Sequence, residues 1–351
     1  MKYLSITLLL AILIFVSCQK EKSTEEQKSS EDISASFDST ALATTAVEES
    51  ADQSFLFRYK FAAGESFKYR LTTISQTEQS VITDSSVSDK LSQTIIFVLD
   101  FNTLSLDSDS VAELQCTFSS VNLKANANGI DINYKSGSTM DSTEKVKFAE
   151  YEAFVNNPFN LRVGRLGEIL DIYMVDKIIN RLLSLRGLAD SLSAQQKNMA
   201  KQDITSKSIK PLLAQVFREV PSHKMGKDST WSFKRESLPV LVFQVDYENK
   251  YTVDNLEMLG DEKLAVVEGT IKTKVSGKQN FNEKGVEYFF EKPVSTANGK
   301  IYFNIDKGMI QRSRTQTQMV NAYRMEMPSP QGIKKASAKE VTSNVNVIEL
   351  L

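Results

Sequence analysis

Apolar and polar residues alternate with a period of two along much of this chain, and that spacing commits it to β-structure. Phe55, Phe57, Tyr59 and Phe61 alternate with Leu56, Arg58 and Lys60 until Gly64 interrupts, and Phe67, Tyr69 and Leu71 resume the pattern. Successive side chains of a strand point to opposite faces, so such a run gathers its aromatics on one buried face. Equivalent runs occupy 95–101, 111–123, 130–134 and 159–163, and again 240–253, 264–275, 286–290, 301–305 and 309–319. The links between them are short and polar, as in Asp107-Ser108-Asp109-Ser110 and Asn126-Ala127-Asn128-Gly129. Short links predict antiparallel neighbours.

The middle of the chain changes period. Val175, Ile178, Ile179, Leu182 and Leu183 fall on one helical face that ends near Gly187. Ile209, Leu212, Leu213, Val216, Phe217 and Val220 repeat the pattern and stop before Pro221, while the more polar 191–203 suits a surface helix. The strand-rich stretches on either side resemble each other. Gly64-x-x-Phe67-x-Tyr69 opens the first, and Gly226 with Trp231-x-Phe233 opens the second. Each closes on a Gly-turned hairpin, through Gly167 in one and Gly308 in the other. The expected fold class is therefore α+β: mainly antiparallel, curved sheets from two similar β-rich halves, with a helical block between them. The expected domain is one composite unit over 54–327 with the helical insert at about 173–220. Residues 328–351 read as a loosely ordered C-terminal tail, of which 341–351 would add at most an edge strand.

The N-terminus carries an address. Lys2 precedes an apolar run over 4–16 broken only by Ser5 and Thr7, and Ser17-Cys18 ends it before Gln19-Lys20-Glu21-Lys22. A membrane span needs about 20 apolar residues, and this core is shorter. The segment resembles a bacterial lipoprotein signal, with Phe15 where such signals usually carry Leu. The resemblance implies cleavage of residues 1–17 and palmitate-type acylation of Cys18, the one site residue it assigns. More than one acyl chain is needed for stable anchoring. Residues 18–53 then form a tether, rich in Ser, Thr, Ala, Glu and Gln, too polar to offset the entropy of ordering. Its reach as a coil is on the order of 30 Å. Gln19 suits delivery to the outer membrane of the cell envelope, with the periplasmic or surface face left open.

The folded region resembles a group of uncharacterised bacterial lipoproteins that share a domain of unknown function. The motifs that carry the resemblance are Gly64-Glu65-Ser66-Phe67-Lys68-Tyr69, the hairpin at 159–170, Pro221 followed by Gly226 and Trp231, and the late hairpin at 299–308. One extra residue pair separates Gly226 from Trp231 relative to the family pattern. The resemblance implies an address and an architecture and carries over no catalytic residue.

Chemistry-bearing patterns are sparse. Lys and Arg number 42 against 44 Asp and Glu, a net charge of -2 without the basic excess of a nucleic-acid binder. His223 is the only histidine, in a loop between Pro221 and Gly226, so a histidine-based triad or zinc site has no other candidate. Cys116, the one cysteine besides Cys18, sits in an alternating run and is expected as a small buried side chain. Asp107-Ser108-Asp109 opens like a calcium loop but lacks its Gly and distal Glu, and is expected to be a turn. Ser142-Thr143-Glu144-Lys145 fits Ser-x-x-Lys without its partner motifs, and Gly277-Lys278 lacks the rest of a phosphate loop. Paired carboxylates on separate strands would suit glycoside chemistry, but sequence does not bring two particular ones together. Lys300, Lys307, Arg312, Arg314 and Arg324 are expected on a solvated outer face. No metal or cofactor is expected.

The functional expectation is a membrane-anchored envelope lipoprotein, not an enzyme, that binds or scaffolds. Its partners would be the bilayer through acylated Cys18, and an envelope protein, a glycan or a lipid. The alternative is a half-barrel carrier of an apolar ligand beneath the helices, and the third reading is a hydrolase of envelope polymers.

Overall fold

Every long strand of this chain ends in a tight turn, and the turns fall at two ends of a single sheet. In the computed structural model, residues 42–47 and 54–351 are described. The expected signal segment 1–17, Cys18 and most of the expected tether lie outside the described residues. Strands β1 (Thr45–Ala46), β2 (Ser66–Ile82), β3 (Ser86–Leu106), β4 (Ala112–Ala127), β5 (Ile130–Lys135), β6 (Phe159–Val163) and β7 (Ile169–Tyr173) precede the helices. Strands β8 (Thr230–Val240), β9 (Phe243–Leu259), β10 (Glu262–Gly277), β11 (Asn280–Glu283), β12 (Val286–Phe290), β13 (Val294–Asn304), β14 (Met309–Ser329) and β15 (Gly332–Leu350) follow them. Helices α1 (Ser142–Lys147), α2 (Ala149–Phe154), α3 (Asp176–Leu185), α4 (Ala194–Ile204) and α5 (Lys210–Val216) lie between, with a π turn (Thr205–Ile209) joining the last two.

All ladders are antiparallel, in the order β1-β9-β10-β13-β14-β15-β2-β3-β4-β6-β7, with β8 on β9, β5 on β4 and the β11–β12 hairpin on β14. The α+β expectation is corrected here. The fold is mostly antiparallel β in one 15-stranded sheet, and no helical block separates two halves. The physical reason is β15, which pairs along its length with β14 of the later half and β2 of the earlier one. The stretch expected as a tail or edge strand is thus an interior strand. Two long hairpins with bare edges would be prone to pair with other chains, and β15 satisfies both edges at once.

The turns at 107–111, 164–168, 260–261 and 305–308 mark the base of the sheet; those at 83–85, 128–129, 241–242 and 330–331 mark its distal end. The helices pack on the inner face at the base. Ile178, Ile179, Leu182 and Leu183 of α3 and Leu213 and Val216 of α5 are buried, as their spacing predicts, in one cluster with Leu99, Phe101, Phe118 and Phe303. Phe217 meets Phe101 edge-on at 5.4 Å, and Phe154 stacks on Phe118 at 5.1 Å.

The run 55–61, expected as a strand, is extended but makes only the Phe55–Met225 bridge. It is a strap across the base. Its alternation survives because Phe57 and Tyr59 still point into the core, each packed against Phe303. Tyr59 N–H donates to Arg165 O (2.9 Å) and Lys60 N–H to Gly308 O (3.1 Å), so the strap ties together both Gly-turned hairpins. Gly308 has φ +66°, and a Cβ there would lie 2.6 Å from Arg58 O and Lys60 N. Close approach of strap and turn therefore requires glycine.

The Tyr59 hydroxyl donates to Arg218 O (3.1 Å) and accepts from Arg218 N–H (2.9 Å) at a buried site. Tyr59→Phe leaves both backbone groups without that partner and is expected to cost about 1–3 kcal/mol of stability. Denaturant unfolding of the two proteins at equal slope measures it, and an unchanged midpoint would contradict the strap's role.

Candidate functional site

Side chains that face one way along each strand form rows across the sheet, and the register lets each row be read in full. On the inner face, beyond the base rows of Phe303, Ile310, Tyr69, Leu99 and Phe118, stand Ile301, Ser313, Ile348, Leu71, Phe97 and Val121 side by side. All six are buried under the helices and strap. The next row, two residues further on, is Gly299, Thr315, Asn346, Thr73, Ile95 and Leu123. After it comes Ala297, Thr317, Asn344, Ser75, Gln93 and Ala125, and then Ser295, Met319, Thr342, Thr77, Leu91 and Ala127. Within two steps the inner face changes from aliphatic and aromatic to hydroxyl and amide, and no charged residue stands in these four rows.

The polar residues pair across the ladder. Thr73 Oγ1 donates to Asn346 Oδ1 (2.9 Å), Ser75 Oγ donates to Asn344 Oδ1 (2.6 Å), and the Thr77 and Thr342 hydroxyls lie 3.3 Å apart. Each Asn pair uses an amide oxygen and leaves the amide N–H donors for other partners. Toward β9 the second row continues through Gly269 to Tyr251 and Trp231. The two rings stack at 5.2 Å, and the Tyr251 ring covers Gly269. Inward positions of the middle rows are mostly half-buried; outward neighbours on β14 and β10 such as Arg314, Gln316, Gln318, Lys272 and Lys274 are exposed, whereas outward Val347 on β15 and Thr72 on β2 are buried.

Under the helices there is little free space. A cavity of about 20 Å³ lies among Phe57, Arg218, Trp231, Tyr251, Ile301 and Phe303. It holds about one water molecule and no acyl chain. The Trp231 Nε1 and Arg218 Nε donors beside it have no partner in the protein.

The residues singled out from sequence are dispersed. Cys18 lies outside the described residues. Cys116 is a free, buried thiol on the inner face between Phe101 and Phe159, and burial pushes its pKa well above the usual thiol range. His223 is exposed in the loop before β8. Ser142 and Lys145 lie on α1, whose start is capped by Asp141 and Glu144, and both are exposed. Gly277 ends β10 at φ +132° against Val242 and Phe243, a packing role. Asp107-Ser108-Asp109-Ser110 is a turn in which Asp107 Oδ1 accepts from the N–H groups of Asp109 and Val111. Lys300, Arg312 and Arg314 face outward, Lys307 pairs with Glu262 (2.9 Å), and Arg324 lies over the Phe289 ring at 4.9 Å. Among the described residues, no group of three or more His, Cys, Asp or Glu is placed to hold a metal.

At the base, two carboxylates, Glu113 and Asp107, flank Arg162. Glu113 accepts from the Tyr173 hydroxyl, from Asn160 Nδ2 (3.2 Å) and from Ser105 Oγ (3.3 Å), and Arg162 beside it pairs with Asp107 at 3.0 Å. The Tyr173 bond foremost, then Asn160, Ser105 and Arg162, hold Glu113 below the usual carboxylate range. The Val111 and Asp109 N–H groups, with Arg162, do the same for Asp107. Both are ionised at neutral pH, which suits a brace between β4, β6 and β7 and does not supply a proton donor.

Asn344 and Asn346 were not legible as site residues. The alternation over 341–348 is present, but Val345 and Val347 face outward and the asparagines inward, the reverse of the usual reading.

Residues 109–310 match the sequence profile of a family of unknown function, DUF6263, and the chain belongs to that family. No curated protein matches it in sequence. Among solved structures, a lipovitellin structure concerned with lipid–protein interactions aligns with 83% of this chain at 12% identity and a TM-score of 0.39. The chain spans 25% of that lipovitellin chain. The COG4313 outer membrane channel from Pseudomonas putida F1 aligns at 8% identity over 84% of this chain and 97% of its own, with a TM-score of 0.16. A DUF1329 family protein from Desulfovibrio piger ATCC 29098 aligns at 8% identity over 80% and 83%, with a TM-score of 0.13. At these scores none of the three establishes a shared fold or function.

Because Glu113 is held ionised, its brace contributes stability above the ordinary carboxyl value of 4.5, and the contribution is lost as pH falls through the lower folded value. In Tyr173→Phe the Glu113 titration midpoint, followed by carboxyl-carbon NMR, is expected to rise toward 4.5. A midpoint that stays in place would show that the phenol does not hold the carboxylate.

Proposed function

We propose that this member of DUF6263 is a lipid-anchored envelope protein that binds, without converting, an uncharged hydrogen-bonding ligand of glycan type on the inner face of its sheet. The observation that carries the reading is the change of the inner rows from Leu71, Phe97 and Ile348 to Thr73, Ser75, Asn344 and Asn346. Here the polar rows are satisfied in pairs and still keep amide donors free, which suits a ligand rich in hydroxyl groups. The absence of charge from these rows favours a neutral ligand.

A binding role is also supported by the titratable groups. Glu113 and Asp107 are held ionised, and burial raises the phenols of Tyr59, Tyr69 and Tyr151. These shifts lead away from the neutral range in which a general acid or base works. An apolar ligand beneath the helices has less support, because Val175, Ile178, Ile209, Leu213 and Val216 are buried members of the packed core. Anchoring rests on the resemblance of residues 1–18 to a lipoprotein signal.

Two measurements test the reading. Titration calorimetry with a panel of neutral oligosaccharides should find a binder, and the double variant Asn344→Ala with Asn346→Ala should weaken it about tenfold, or about 1.4 kcal/mol, at an unchanged unfolding midpoint. A panel without heat of binding would count against a glycan. In cells, Cys18→Ser should move the protein from the membrane to the soluble fraction, and continued membrane association would remove the anchor from the account.

A further inference from the structure

Strand β7 ends the path of the sheet, and among the described residues no strand lies beyond it. Its register sets Tyr173 against Asn160, Ile172 against Leu161 and Asp171 against Arg162, and a bulge then leaves Leu170 without an opposite residue. In an antiparallel pair alternate residues turn their backbone groups to the neighbour or away from it. Ile172 is turned away, since its N–H donates to the adjacent Asp171 Oδ1 at 2.8 Å and not to β6. Leu170 beside it is 53% exposed. This is an open strand edge whose one outward donor is held by a local side chain.

The edge forms one wall of a groove of about 580 Å³, a volume suited to a specific ligand. The facing wall is helical. Asn198, Lys201, Gln202 and Thr205 recur at the spacing of one face of α4, and Ser206 and Lys210 continue it. The π turn sets that wall. The Gln202 carbonyl accepts from the Thr205 N–H at the start of that turn, and Ser206 Oγ donates to it as well at 2.7 Å. Of the charges in the groove, Lys201 is paired with Asp176 at 3.0 Å and Asp171 is turned to its own backbone neighbour. Lys210 is exposed and makes none of the ion pairs of the described residues. The hydrogen bond leaves Asp171 its negative charge, so the groove is near neutral and Lys210 is the one cation of its lining left for a ligand's carboxylate.

We propose that this groove binds an extended acidic peptide segment of a partner protein, which adds a strand to β7 and sets a carboxylate on Lys210. Backbone pairing at Leu170 and Ile172 supplies the affinity of such an addition, and the groove wall supplies the selectivity. The incoming carbonyl takes the Ile172 N–H from Asp171, whose carboxylate turns to solvent. The site is separate from the inner face and does not depend on the ligand proposed for it.

The test is fluorescence anisotropy of the full chain with a labelled heptapeptide of alternating Glu and Val. A version N-methylated at alternate amides and a version with Lys for Glu serve as controls. Saturable binding is expected for the first, weakened on the order of tenfold by N-methylation and by the Lys version. Leu170→Pro should weaken it similarly. Lys210→Glu, a change at an exposed side chain that leaves folding intact, should weaken the acidic probe and improve the Lys version. Absent binding to the folded chain, equal binding of the N-methylated probe, or indifference to Lys210→Glu would each overturn the proposal. Displacement of the probe by a peptide of residues 19–41 would make the chain's own acidic stretch the occupant and overturn the partner assignment.

Discussion

The pairing of β15 with both β14 and β2 is the constraint on which the rest of the structure depends. Without it, Met309–Ser329 and Ser66–Ile82 would each present a long bare edge, and the two strand-rich stretches would be separate sheets. With it, the rows of side chains run unbroken from β13 to β4. Asn344 and Asn346, which stand in the middle of the polar rows, are themselves residues of that strand. One ladder therefore joins the fold and furnishes the polar rows.

The division of the inner face into a filled base and a polar remainder has a plain physical origin. Helices α3 and α5, the strap over 55–61 and Phe217 cover the base and meet an apolar face there. Beyond that cover, an apolar surface of the same width would be an aggregation liability. Hydroxyl and amide side chains that pair across the ladder, as Thr73 with Asn346 and Ser75 with Asn344, avoid it at small cost. The strap has a different task. It makes hydrogen bonds to Arg165 and Gly308 and so fixes the two hairpin turns against each other.

Much of this was written in the alternation of the sequence, and its failures are informative. Strands β3, β4, β6 and β10 lie where the period of two puts them, and α3, α4 and α5 where the period changes. The strap kept the alternation of a strand because burial, not pairing, imposes that pattern, and sequence does not separate the two. Strand β15 was obscured by Pro328, Pro330 and the lysines at 334, 335 and 339, which read as a solvated tail. Those residues belong to the distal hairpin, while the partners that order 341–350 lie some 270 residues away in β2. Distant pairing of that kind leaves no local signal. The polar rows were hidden for a further reason: only the register shows that Thr73, Asn346 and Thr315 are neighbours.

The inward direction of binding is the central claim, and the period of two provides its own control. Photo-crosslinking residues placed singly at Thr315, Asn344, Gln316 and Ser343, in protein expressed in its native envelope, test it directly. The first two lie on the inner face and the second two on the outer face of the same strands. Adducts confined to positions 315 and 344 are the result this account predicts. Equal labelling of all four positions, or adducts at 316 and 343 alone, would contradict it.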